Sequence, residues 1–198
     1  MSALQENAKP YLVPMLEGRK ITLAPKGQRA IAAWATMMIM VAEHMDKDGE
    51  MVAVSASDRR WFYENHRPPS SRWRIWIGQH RRENHELFIH NVMPLGTKEE
   101  IERHGAEAAA PPNTQTSTIC LGQHLVIHAM SFHRVWGFIR SLKLAPEASD
   151  IMRQIWPMQG LVTWPTATRR LNDAGLAILS MNFFDEMRLV AQSQGRSS

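Results

Sequence analysis

Thr116–Ser131 reads TSTICLGQHLVIHAMS, and the fold turns on how that stretch is read. Two runs of β-forming residues flank Gly122-Gln123. Glycine at the first central position suits a tight type II′ hairpin turn, because it accepts the positive φ that the turn needs. On the second strand Leu125, Ile127 and Ala129 face one side, and His124, Val126, His128 and Met130 face the other.

Working outward, Trp73–Gln79 alternates with Trp73, Ile75 and Ile77 on one side and Arg74 and Trp76 on the other. That pattern predicts a strand with one buried face. His80–His85 reads as a polar turn and Glu86–Val92 as the strand that closes an antiparallel hairpin with it. Pro25 suits the first turn of a helix running to about Met45, since its missing N–H would be unpaired there anyway. Ile31, Trp34, Ala35, Met38, Val41, Ala42 and Met45 form its stripe, and Met37, Ile39 and Met40 make it apolar almost all round. Ser57 is positioned to cap a short helix Asp58–Asn65 that sends Trp61 and Phe62 to the core and Arg59 and Arg60 to water, with His66-Arg67-Pro68-Pro69 ending it. Pro10 and Pro14 interrupt the helical spacing of Leu4, Ala8 and Leu12, so residues 1–24 read as a short helix or turn followed by an arm, with Ile21–Leu23 extended. Thr97–Gly105 has helical spacing, and residues 106–113 with their two prolines read as an exposed linker. In Ile155–Pro165 two Trp-Pro steps predict two short extended pieces around Gln159-Gly160. Asn172 caps a final helix Asp173–Gln192 with Leu176, Leu179, Phe183, Met187 and Val190 on its apolar face, and residues 192–198 form a frayed tail. The expectation is one α+β domain, an antiparallel sheet of four or five strands with the Pro25–Met45 helix and the terminal helix covering one face.

The totals exclude several classes. At 198 residues with 44% hydrophobic and 21% charged residues, the chain has the make-up of a globular domain. A net charge of +4 is compatible with nucleic acid as partner without requiring it. Cys120 is the only cysteine and sits within a strand pattern, so it reads as a buried, inert thiol. Without an intramolecular disulfide or a signal peptide, a reducing, cytoplasmic setting is expected. The most apolar run, Ala30–Ala42, is 13 residues and too short for a bilayer, so no membrane partner is expected.

Three features carry chemistry. Arg59, Arg60, Arg67, Arg72, Arg74, Arg81 and Arg82 are interleaved with Trp61, Trp73 and Trp76. Arginine forks phosphate, and aromatic faces stack on unpaired bases. The more ordinary reading of the same run is tryptophans packed in a core and arginines on a solvated outer face. Seven of the nine histidines lie between His80 and His133. His124 and His128 on one strand face stand about 13 Å apart, too far to share a metal. Neither Asp46-Lys47-Asp48-Gly49 nor any His group completes a metal-ligand set, and Asp173, Asp185 and Glu186 on the last helix pair with no nucleophile, so no metal, cofactor or catalytic residue is assigned. Phe132–Leu142 mixes Trp136, Phe138, Ile139 and Leu142 with His133, Arg134, Arg140 and Lys143, which suits a partner-facing segment.

Several stretches together resemble bacterial and mobile-element hypothetical proteins with an HNH-endonuclease-like, zinc-binding amino-terminal region. The stretches are MSALQENAKPYLVPMLEG, LAPKGQRAIAAWATMMIMVAE, YENHRPP, RIWIGQH, STICLGQHLVIHAM and IWP with VTWP, in that order over nearly the whole chain. In that family two Cys-x-x-Cys pairs and a Glu-His pair precede the segment that here begins at Met1. No residue of this chain matches them, so the resemblance carries over no nuclease active site. It implies the family's carboxy-terminal α+β domain, either as a naturally short form or as part of a longer gene.

Three functions are consistent with these readings. The first is a non-catalytic nucleic-acid-binding or accessory module related to the HNH-like family, with Arg72, Arg74, Arg81 and Arg82 as leading contacts. The second is a stand-alone interaction protein of a phage or other mobile element that binds and inhibits a host defence nuclease, with His133, Arg134, Trp136, Phe138 and Arg140 at its interface. The third is a His-dependent enzyme.

Overall fold

Thr114–Leu121 and Leu125–Phe132 pair as antiparallel strands, with Ser117 opposite Ala129 and Ile119 opposite Ile127. The hairpin of the sequence reading therefore forms, but its turn differs. Leu121 stands opposite Leu125, which leaves a three-residue loop of Gly122, Gln123 and His124 rather than a two-residue type II′ turn. Gly122, at φ +56°, takes the left-handed conformation that favours glycine.

The computed structural model describes residues 3–45, 52–81, 87–93, 113–132, 144, 146–165 and 169–179. Its elements are α1 (Ala3–Leu16), β1 (Ile21–Leu23), α2 (Pro25–Ala42), α3 (Ala56–Asn65), β2 (Trp73–Gln79), β3 (Leu87–Met93), β4 (Thr114–Leu121), β5 (Leu125–Phe132), the single turn α4 (Pro146–Ser149), β6 (Arg153–Trp156) and β7 (Val162–Trp164). Residues 173–179 are also helical. The fold is α+β, with a five-stranded antiparallel sheet in the order β3-β4-β5-β2-β6 and a separate two-stranded ribbon β1-β7. The expected helix at Thr97–Gly105, most of the 106–113 linker, Asp46–Gly49 and the chain beyond residue 179 lie outside the described residues.

β2 and β3 do not form the expected hairpin. β2 is flanked by β5 and β6, so both of its hydrogen-bonding edges are taken, and β3 pairs instead with β4. Alternation identified each strand but carries no information on which edge a strand uses.

The sheet is covered on both faces, not one. On the first, Ile75, Ile77, Ile119, Leu125, Ile127 and Ile155 pack with Ala8, Leu12 and Met15 of α1 and Ile31, Ala35 and Ile39 of α2. On the second, Trp76, Val126 and Met130 pack with Leu144, Ile151, Met152, Leu171, Leu176 and Leu179. α2 and the 173–179 helix thus serve opposite sides.

α1 runs unbroken through Pro10 and Pro14, correcting the arm expected over residues 1–24. A proline at position 14 would look to the carbonyl of residue 10, so the two rings remove bonds on one side of the helix. The buried residues Ala8, Leu12 and Met15 hold the helix against the core in compensation. β1, at the end of that segment, pairs with β7 through Ile21–Trp164, Thr22–Thr163 and Leu23–Val162.

α2 begins at Pro25, as its sequence predicts, but its buried side is rotated. Gln28, Ile31, Ala32, Ala35, Ile39 and Glu43 face inward, while Met38, Val41 and Met45 are exposed and Trp34 is half-buried. A helix apolar all round leaves its rotation open, and two buried polar side chains fix it. Gln28 donates from Nε2 to the carbonyls of Leu23 (2.9 Å), Gln159 (2.8 Å) and Gly160 (2.6 Å), and its Oε1 accepts from Gln159 N–H (3.1 Å). Glu43 Oε1 accepts from the N–H groups of Ala53 and Val54, both at 2.9 Å. These bonds satisfy a buried amide and a buried carboxylate that would otherwise each cost several kcal/mol.

α3 is capped by Ser55, whose Oγ accepts from Asp58 N–H at 3.2 Å, rather than by Ser57. Phe62 is buried as expected, but Trp61 is 42% exposed.

Two substitutions test the orientation of α2. Gln28→Leu should destabilise the protein by about 2–4 kcal/mol in urea unfolding, because it strands backbone groups of the 159–160 loop. Ile39→Ala should cost about 2–4 kcal/mol and Met38→Ala less than about 1 kcal/mol. Equal losses for the two would place the helix in the other rotation.

Candidate nucleic-acid interface

The arginine run does not form one surface. Three members are built into the fold. Arg59 donates from Nη1 to Glu43 Oε2 (3.2 Å) and to His44 Nε2 (2.8 Å), and from Nη2 to the Val54 carbonyl (2.6 Å). It neutralises a fully buried carboxylate and is not turned to water as expected. Arg72 forms an ion pair with the buried Asp58. Arg74 donates from Nη1 to the carbonyls of Ser70 (2.8 Å) and Trp73 (2.9 Å), and its guanidinium lies 5.9 Å from the centre of the Phe132 ring. Arg59 and Arg72 each answer a buried carboxylate, and Arg74 is held by local carbonyls and the Phe132 ring, so all three are engaged within the fold. Trp73 and Trp76 are core residues and offer no stacking face.

Arg60 and Arg81 are exposed, Arg67 is half-buried, and Arg82 lies outside the described residues. So do His133, Arg134, Trp136, Phe138 and Arg140, the expected partner-facing side chains.

Arg81 gains neighbours that local spacing does not reveal. Leu171 forms an isolated parallel bridge with His80. Leu171 N–H donates to the Gln79 carbonyl (2.9 Å), and Arg81 N–H donates to the Leu171 carbonyl (2.7 Å). Leu171, which follows the exposed Arg169 and Arg170, is therefore held against the end of β2 next to the exposed Arg81. His80 N–H donates to the His124 carbonyl (3.1 Å), so the β4–β5 loop borders the same rim. Gly18, at φ +72°, brings its own chain against the His124 ring, where a side chain would meet Nε2 at 3.0 Å. Two residues on, Lys20 is exposed, and Arg19 beside it pairs with Glu17. Lys20, Arg81, Arg169 and Arg170 are exposed, and each lies within two residues of these contacts, which join three parts of the chain into one rim; Asp173 is two residues beyond Leu171 and Glu17 one before Gly18. The Arg169-Arg170 doublet was the available sequence signal.

Among the described residues, His90 and His128 lie on opposite faces of the sheet. His90 Nδ1 lies 2.9 Å from Ser117 Oγ, with its ring stacked on Phe88 at 5.9 Å, on one face of the sheet. His128 Nδ1 lies 2.9 Å from Thr118 Oγ1, with its ring 5.8 Å from that of Trp76, on the other. Both are imidazole–hydroxyl pairs, but His128 and Thr118 are sealed from solvent. No group of three or more His, Cys, Asp or Glu side chains is placed to hold a metal among the described residues. Cys120 is buried, as its strand position predicts. No described helix is long and apolar enough to cross a membrane.

No protein-family model matches the chain, and neither a curated protein nor a solved structure matches it.

Burial pushes the His128 imidazole down from 6.5 to about 4. The unfolded chain takes up a proton near pH 6.5 that the folded protein refuses until about pH 4, so stability falls as pH falls through that window. The loss attributable to this one group is roughly 3 kcal/mol between the two limits. His128→Gln should remove that part of the slope when unfolding free energies are compared at pH 7 and pH 4.5. An unchanged slope would place the acid sensitivity elsewhere.

Proposed function

We propose that the protein is a non-catalytic nucleic-acid-binding or accessory module, in keeping with the resemblance to the carboxy-terminal domain of HNH-endonuclease-like proteins. The observation that carries this reading is that Lys20, Arg81, Arg169 and Arg170 are exposed and lie within two residues of the contacts that join the Gly18, His80 and Leu171 segments. These side chains are exposed and come from separate segments, whereas Arg59, Arg72 and Arg74 are engaged within the fold. A run of exposed guanidinium groups suits phosphates, whose contacts position a nucleic acid without reading its sequence. The leading contacts proposed are accordingly Arg81 with Arg169 and Arg170. Arg82 remains a candidate on sequence grounds, and Arg72 and Arg74 are secondary.

The test is binding of the purified chain to short single- and double-stranded DNA and RNA at about 50 and 200 mM salt. Affinity should fall steeply with salt. The triple substitution Arg81→Ala, Arg169→Ala, Arg170→Ala should weaken binding and lower the log–log salt slope by about 2–3, one increment for each lost phosphate contact. Arg60→Ala should do neither. Absence of binding at the lower salt, or an unchanged slope in the triple variant, would remove this function from the rim.

A further inference from the structure

Among the described residues, no segment that meets at the basic rim brings an aromatic ring with it. Residues 12–33, 77–87, 89–131 and 165–182, which take in the Gly18, His80, His124 and Leu171 segments, contain no Phe, Tyr or Trp. The rings that border these stretches are used in the fold. Trp76, Phe132 and Trp164 are buried, and Tyr11 and Trp34 pack on the first-face core. Trp164 Nε1 donates to the Gly78 carbonyl at 3.4 Å, which holds that ring against β2.

The exposed rings lie elsewhere. Trp61 and Tyr63 belong to α3, which the Arg72–Asp58 ion pair ties to the start of β2. The rim is at the other end of that seven-residue strand, about 20 Å away along its length. Phe88 is on β3, which β4 and β5 separate from β2, and it stacks on His90.

What the rim offers instead is charge on an anchored backbone. The bonds from Leu171 to Gln79, from Arg81 to Leu171 and from His80 to His124 hold together the segments that carry Arg81, Arg169 and Arg170. Of the acids near it in sequence, Glu17 is paired with Arg19.

Unpaired and paired strands ask different things of such a surface. Proteins that hold single strands add aromatic faces on which the exposed bases stack. A duplex hides its bases and presents about one phosphate charge per 1.7 Å of axis, and each phosphate neutralised contributes about 0.9 to the log–log salt slope against about 0.7 in a single strand. Cations without rings therefore favour the duplex.

We infer that the rim grips the phosphate backbone of a nucleic-acid duplex and discriminates against unpaired strands. The inference rests on the nucleic-acid reading of the rim and adds the strandedness of its ligand. DNA and RNA duplexes share the phosphate chemistry, and the experiment separates them.

The probes are a mixed-sequence DNA duplex of about 12 base pairs, the RNA duplex of the same sequence, and an oligo-dT strand of about 24 nucleotides with nearly the same number of phosphates, each titrated into the full chain at about 50 mM salt. At least one duplex should bind at least about tenfold more tightly than the strand. Arg81→Ala, Arg169→Ala and Arg170→Ala combined, all at exposed positions, should narrow that preference to less than about threefold and lower the duplex salt slope by about 2.7, with an unchanged melting temperature. Equal or tighter binding of the strand would overturn the inference and leave the nucleic-acid reading standing. A duplex preference that survives the triple substitution would overturn it by placing the duplex on another surface. Binding of none of the three probes would overturn both.

Discussion

Burial of the central strands on both faces is the constraint from which the rest of the architecture follows. β2, β4 and β5 have almost no exposed side chain, so each face needs its own apolar cover. The amino-terminal helices supply one cover, and the segments around Ile151, Leu171 and Leu176 supply the other. The same constraint explains the polar residues trapped inside. Thr118 and His128 stand opposite each other on adjacent strands and satisfy one another in part, while His128 Nε2 and Thr116 Oγ1 find no partner among the described residues. Left unpaired, such groups each cost about 1–3 kcal/mol, which the burial of the apolar side chains around them has to offset. Of these, His128 is the group that acid acts on, because burial lowers its pKa to about 4.

Much of this was legible in the sequence, and the failures have definite causes. The β4–β5 hairpin, the start of α2 and the two short strands around Gln159-Gly160 followed from alternation and from proline. Register, edge choice and rotation did not follow, because they depend on contacts distant in sequence. α2 is apolar on nearly every side, so its periodicity could not say that Gln28 and Glu43, rather than Met38 and Met45, point inward. That choice is made by carbonyls 131 and 132 residues away and by N–H groups 10 and 11 residues away. α1 reads as broken because a propensity argument weighs Pro10 and Pro14 but cannot weigh the packing of Ala8, Leu12 and Met15.

The candidate site was legible in smaller part. A dense run of arginines signals phosphate only if the arginines are unspoken for, and a sequence does not display the buried acids that claim them. Glu43 claims Arg59 from 16 residues away, and Asp58 claims Arg72 from 14. Conversely, Arg169-Arg170 looks isolated until the His80–Leu171 bridge fixes the residue that follows it against the end of β2. Val41 has the same history: it is a core-forming type in the sequence, and only the inward rotation of Gln28 and Glu43 leaves it facing outward.

The β1–β7 ribbon has a consequence for how the chain is made. β1 pairs with Val162–Trp164, and the amide of Gln28 at the start of α2 is bonded to Gln159 and Gly160. Neither contact can form until the ribosome has released a segment more than 130 residues downstream. At about 5–20 residues per second, the first two helices emerge on the order of 10 s or more before the strand and loop that anchor them. For the first part of that interval, until residues 73–132 have emerged, their apolar faces have no sheet to rest on. The nascent chain therefore carries its greatest exposure at the beginning of synthesis, and the native arrangement of the amino-terminal half is completed from the carboxy-terminal side.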